Sequence, residues 1–148
     1  MKEFSPSTEH WKKLENMYIS ASVNQLPPVP LIAIGDGNCE IRQEISPMYF
    51  HAGGALHGAY YFKLLDDSAY FACASRCTKR FVLTKSFKIE FIRPAESGVL
   101  HAEGKLVSEE DGNMKAVSTL HLNGKLIGKG EGSFVESRKL LNEVTHYA

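Results

Sequence analysis

His51-Ala-Gly-Gly-Ala-Leu-His57-Gly58-Ala-Tyr-Tyr-Phe-Lys-Leu-Leu-Asp66-Asp67 is the stretch on which the fold turns. A glycine-bearing loop runs into a long apolar segment that carries two adjacent acids. From Leu56 to Arg76 there is no proline and much Ala, Leu, Tyr and Phe, which predicts a helix of 21 residues. Apolar residues occupy most of its circumference, so other structure has to wrap it. Its start offers free backbone N–H groups and a partial positive charge. An acid on so apolar a helix needs a partner, a shifted pKa, or both.

Helix geometry makes one demand. Gly58 and Asp66 are eight positions apart, which is ~12 Å along the axis. Asp66 cannot reach a carbonyl held at the start of its own helix. Two such helices lying antiparallel, from two copies of the chain, would bring each Asp66 to the other's Gly58. If the two features act together, the chain is at least a symmetric dimer with two composite sites. The alternative is that they act separately.

The two acids differ. Asp67 lies four after Lys63, the spacing of a solvated helix ion pair. Asp66 shares its face with Ala59, Phe62, Ala69 and Cys73. It is the expected desolvated acid, with a raised pKa and a role in a site. The plain alternative is a polar residue bonded to a tyrosine hydroxyl. His51 and His57 flank the glycine loop and either bond its backbone or touch a substrate. His51, His57 and Asp66 match no metal-ligand spacing. Ser68 and Ser75 lack a nucleophile elbow.

Outward from this segment, Thr8 to Ile19 predicts an amphipathic helix capped by Ser7 or Thr8, with Trp11, Leu14, Tyr18 and Ile19 near one face. Pro27, Pro28 and Pro30 then force extended chain. Leu31–Ile34 and Cys39–Ile45 read as a hairpin around Gly35-Asp-Gly-Asn38. Pro47 to Gly54 is loop. After Thr78 the period becomes two: Leu83, Phe87, Ile89 and Phe91 alternate with Thr84, Ser86, Lys88 and Glu90. Arg93-Pro94-Ala95 ends that strand. Val99–Val107, Met114–Leu122 and Lys125–Val135 follow, joined by a turn at Glu109–Asn113 and by Asn123-Gly124. The tail from Glu136 reads as a short helix or frayed chain. The class is α+β, an antiparallel sheet packed on one long central helix. One domain is expected over 1–148, with an N-terminal helix at about 8–22 and a core at about 31–136.

Lys+Arg and Asp+Glu are equal at 17 each, which argues against a nucleic-acid surface. The first ten residues lack the apolar run of a signal peptide. Ile45 to Phe62 is uncharged, but Pro47, two histidines and three glycines spoil it as a membrane span. Three cysteines form no disulfide framework; Cys73 and Cys77, four apart at the end of the predicted helix, read as packing residues. The expected compartment is the reducing cytoplasm.

The run from His51 to Ala69, followed by Thr84-Lys-Ser-Phe-Lys-Ile-Glu-Phe-Ile-Arg-Pro-Ala95, resembles the hotdog-fold acyl-CoA thioesterases of the phenylacetate-degradation (PaaI-like) type. The resemblance spans about Cys39 to Val135. It implies a sheet wrapped round a central helix, dimers that pair into tetramers, an acyl-CoA substrate, and no metal or organic cofactor. It also implies roles. Gly58 matches the glycine whose N–H polarises the thioester carbonyl. Asp66 matches the partner subunit's carboxylate, acting as base or nucleophile. Thr84 matches a residue that positions water, although its own alternation puts it on a solvent face with Ser86 and Lys88. His51 stands where the family usually has Asn, and Ala59 where a second Gly is usual. His57, Ala59 and Phe62 are the expected substrate contacts.

The expected activity is hydrolysis of a small or medium acyl- or aryl-CoA. A hotdog dehydratase or hydratase, pairing His51 with Asp66, is the enzymatic alternative. A non-catalytic acyl-CoA-binding module is the other. Tyr60, Tyr61, Phe62, Tyr70 and Phe71 either pack the helix or shape an acyl pocket.

Overall fold

The computed structural model describes residues 8–148. Helix α1 spans Thr8–Ser20, and strands β1 (Leu31–Gly35) and β2 (Asn38–Glu44) form the expected hairpin. Helix α2 spans Gly58–Ala74. Strands β3 (Arg80–Phe91), β4 (Val99–Glu110), β5 (Asn113–Leu122) and β6 (Lys125–Leu140) follow. They form one six-stranded sheet in the order β1-β2-β4-β5-β6-β3. Every neighbouring pair is antiparallel. The sheet curls around α2, which touches all six strands. The α+β class and the wrapped central helix are as expected.

Small residues let the sheet close on the helix. A Cβ added at Gly104 of β4 would lie 2.0 Å from the Ser68 carbonyl oxygen of α2, so nothing larger than glycine fits there. On β6, Gly130 and Gly132 are covered by the Phe87 ring, which a Cβ at either would meet at 2.4 Å. Leu64, Leu65, Ala69, Phe71, Ala72 and Cys73 of α2 are buried against this lining. Apolar burial over more than half the circumference holds the helix in the sheet, while the face carrying Ala59, Lys63, Asp66 and Tyr70 is not fully covered.

Helix α2 has 17 residues, not 21. Leu56 is extended: it bridges Phe50, and its N–H bonds Ala95 O at 2.8 Å. His57 is the N-cap, its side chain accepting from the Ala59 N–H. At the other end Cys77 lies past the helix, still buried, with Sγ 3.5 Å from Met114 Sδ. The last carbonyls of a helix need outside donors. Here α1 supplies two, beside the Arg76 and Cys77 amides that bond Cys73 O and Ala74 O. His10 Nε2 donates to Ala74 O at 2.9 Å, and Trp11 Nε1 donates to Ser75 O at 3.1 Å.

The buried face of α1 is His10, Leu14, Met17 and Tyr18. Trp11 and Ile19 are only partly covered, because Trp11 is spent on the end of α2. Ser7, one of the two candidate caps, lies outside the described residues. The loop after β2 contains a short 3-10 turn at Pro47–Tyr49, capped by the Ser46 side chain. Strand β6 does not fray at Glu136. It runs on to Leu140 because β3 keeps pairing with it, through Val82 opposite Glu136 and Arg80 opposite Leu140. A 3-10 turn at Leu141–Glu143 ends it. Among the described residues no helix is long and apolar enough to cross a membrane.

Candidate active site

Asp66 sits midway along α2, half-buried, where Thr84 of β3 meets it. Thr84 Oγ1 donates to Asp66 Oδ1 at 3.0 Å. Thr84 is solvent-exposed, as its alternation suggests, yet its hydroxyl reaches the helix. A register shift between Thr84 and Ser86 makes a bulge at Lys85. Thr84 stands opposite the fully buried Phe134 and faces the helix, whereas Ser86 stands opposite Ser133. The bulge reverses the alternation on its N-terminal side: Val82 is buried and Leu83 is 49% exposed.

Burial pushes the Asp66 carboxyl up, to about 6 from an ordinary 3.8. The Thr84 hydrogen bond pulls it down, the neighbouring Asp67 charge pushes it up, and the Lys63 charge pulls it down. The partner of Asp66 is therefore a threonine, not a tyrosine. Asp67 has the tyrosine: Tyr18 of α1 donates to its Oδ2 at 2.7 Å, and Lys63 Nζ lies 2.8 Å from the same oxygen. Lys63 also donates to Asn24 Oδ1 at 2.7 Å. The Lys63 and Asp67 side chains are each 21% exposed, so the pair is a partly buried network rather than a solvated one. Burial and the Asp67 charge hold the Tyr18 phenol well above its usual range, so it stays a donor.

Asp66 and Thr84 open on a groove of about 640 Å³. Gly58 opens elsewhere, on a cleft of about 340 Å³ that it shares with His51, Tyr61, Phe91 and Arg93. As the first residue of α2, Gly58 has an amide with no acceptor inside the helix. The Arg93-Pro94-Ala95 segment is tied to this end by Tyr61 Oη, which donates to Arg93 O at 2.7 Å, and by Ala95 O, which accepts from Leu56. His51 Nδ1 accepts from the Gly53 N–H at 2.9 Å, which puts the proton of the neutral ring on Nε2.

One chain thus carries these residues in two separate openings. His51 and Gly58 lie in one, and Asp66 and Thr84 in the other. His57 is engaged as the helix cap and takes up the Ala59 amide. Phe62 lines neither space; its ring stands edge-on to Phe87 at 5.3 Å and it is 40% exposed. Sequence spacing pointed to Lys63 with Asp67, but not to Tyr18 or Asn24. Those two lie 45 and 39 positions from Lys63 and follow no local pattern.

A curled antiparallel sheet enclosing one long helix, with an acid midway along that helix, is the architecture of the hotdog fold. Residues 53–111 match the sequence model of the thioesterase superfamily, a span that includes Gly58, Asp66 and Thr84. Among solved structures, a conserved protein from Pseudomonas aeruginosa is 25% identical, with a TM-score of 0.74 over 82% of this chain and 97% of that one. The PaaI protein of the phenylacetic acid degradation operon of E. coli is 18% identical, with a TM-score of 0.79 over 92% of this chain and 99% of that one. A mutant of the phenylacetic acid degradation protein PaaI from Thermus thermophilus is 17% identical, with a TM-score of 0.68 over 73% and 93%. No match is found among curated proteins. The resemblance drawn from the residues holds in the superfamily match and in the fold.

Proposed function

We propose that the chain is an acyl-CoA thioesterase working as a homodimer, or as a pair of such dimers, with two composite sites. The observation that carries this reading is the separation of the half-sites. A proton-accepting Asp66 and an open Gly58 amide lie on one helix but in different clefts. An antiparallel second helix unites them.

In this reading the thioester oxygen accepts a hydrogen bond from the Gly58 N–H, strengthened by the helix N-terminus. Asp66 of the partner subunit removes a proton from water as the water attacks, or attacks the carbonyl carbon itself to give a mixed anhydride that water then hydrolyses, freeing the acid and the Asp66 carboxylate. Thr84 holds the carboxylate in place, and His51 Nε2–H orients the reacting oxygen. The C–S bond breaks, and CoA leaves as the thiol once protonated. The substrate is a small or medium acyl- or aryl-CoA, and the compartment is the cytoplasm.

Complementation tests this directly. Gly58→Pro removes the amide in the first helical turn, where proline is compatible with the backbone, its added carbon pressing only the exposed Phe91 ring at 3.0 Å, and Asp66→Asn removes the base. Each variant alone is expected to release little thiol from acyl-CoA. Mixing the two through unfolding and refolding is expected to restore about a quarter of wild-type thiol release, since half the dimers are mixed and each has one intact site. No recovery in verified mixed dimers would refute the shared site. Absence of thiol release by the wild type across a broad acyl-CoA panel would refute the hydrolase.

A further inference from the structure

The groove that begins at Asp66 and Thr84 is walled by parts of the chain far apart in sequence. Met17, Ala21 and Val23 come from α1 and the turn after it, Phe81 from the start of β3, and Val144 and Thr145 from the C-terminal tail. The two outer walls are fastened to each other and to the core. His10 Nε2 donates to Ala74 O, which requires its Nδ1 to accept, and the Tyr147 hydroxyl donates to that nitrogen at 2.6 Å. Asn16 Nδ2 donates to Ala148 O at 2.8 Å. Tyr18 fastens the end of α1 to Asp67, beside the acid itself.

From this we infer that α1 and the C-terminal tail set acyl selectivity, and that the groove takes an extended apolar acyl group of about octanoyl size rather than acetyl. This rests on the thioesterase reading and names its substrate class. A thioester whose carbonyl sits at Asp66 sends either its acyl group or its pantetheine arm into the groove, and the mostly apolar walls favour the acyl group over the amide-bearing arm. At about 640 Å³ the groove lies in the range of pockets that enclose whole organic ligands. Its lining is mostly apolar, with Lys139 and His146 among the polar residues, and the apolar part is stabilised by whatever displaces water from it. An acetyl group would leave nearly all of that lining wet.

The test uses thioether analogues, S-octyl-CoA and S-ethyl-CoA, which bind without being hydrolysed. Wild-type protein is expected to bind the octyl compound at least about tenfold more tightly than the ethyl one. Ala21→Trp fills the groove from the α1 side, and Thr145→Trp, at an exposed position, fills it from the tail. Each is expected to bring the ratio down to about threefold or less while leaving ethyl binding within about twofold. Wild-type affinities without that preference, or a ratio unchanged in a folded Thr145→Trp protein, overturn the inference. Because no turnover is involved, octyl preference without thiol release would uphold the groove and sink the hydrolase. Thiol release from acyl-CoA with no chain preference would do the reverse.

Discussion

Thr84 Oγ1 and Asp66 Oδ1 lie 3.0 Å apart, a hydrogen bond that ties the edge strand β3 to the middle of α2, alongside that from Tyr70 Oη to Val82 O. The hydroxyl stabilises the charged form of a carboxyl that burial otherwise pushes up. Thr84→Ala is therefore expected to raise the Asp66 pKa further and to lower the rate at pH 7 by about tenfold. The acid limb of kcat/KM should move to higher pH, and Thr84→Ser should restore it. An unmoved limb in Thr84→Ala would remove Thr84 from the mechanism.

A base or nucleophile works only when ionised. With Asp66 at about 6, kcat/KM is expected to climb as pH rises through about 6 and to level off above it. Asp66→Asn should lower the rate by at least about 100-fold and erase that limb. A thiol-release profile from pH 4.5 to 8 checks both.

The same carboxyl makes a stability prediction of opposite sense. Its folded pKa, about 6, is above the ordinary 3.8. Between those values the folded chain holds more protons than the unfolded one, so this group's contribution to stability falls as pH rises through the window. Asp66→Asn removes the penalty. After discounting for partial exposure, the variant should be more stable than wild type by about 1 kcal/mol at pH 7 and about equal to it near pH 4. Urea melts at the two pH values provide the measurement, and a variant less stable at pH 7 would contradict the burial argument.

Gly104 and Gly35 separate a rigid contact from a soft one. An added Cβ at Gly104 meets the Ser68 backbone oxygen at 2.0 Å, whereas one at Gly35 meets the Asn38 side chain at 2.9 Å. Backbone of a central helix cannot yield, but an exposed amide side chain can. Gly104→Ala should destabilise by about 3 kcal/mol and Gly35→Ala by less than about 1 kcal/mol. Denaturant midpoints distinguish the two.

What was legible in the sequence followed from local physics. The helix around Asp66 is apolar over most of its circumference, so its central place could be read directly. The Asn123-Gly124 turn could be read because both residues take positive φ, 52° and 77°, as the hairpin requires. What escaped depends on partners distant in the chain. Lys85 has nothing in its chemistry to mark it as the extra residue of a bulge, yet that residue decides which way Thr84 points. The continuation of β6 to Leu140 likewise depends on β3 lying beside it, which no window around Glu136 contains.

The network beside Asp66 gives a prediction in which charge and hydrogen bonding part company. Lys63 Nζ and Tyr18 Oη both reach Asp67 Oδ2, at 2.8 and 2.7 Å. Tyr18→Phe removes a neutral donor, so it should destabilise by about 1–2 kcal/mol while leaving the charges around Asp66 as they were. Its acid limb should stay in place. Lys63→Met removes the cation that pulls the Asp66 pKa down and leaves the Asp67 charge that pushes it up. That variant should lose about 2–3 kcal/mol, and its acid limb should move to higher pH. If both variants moved the limb equally, α1 would act on Asp66 through position, and the charge argument would fall.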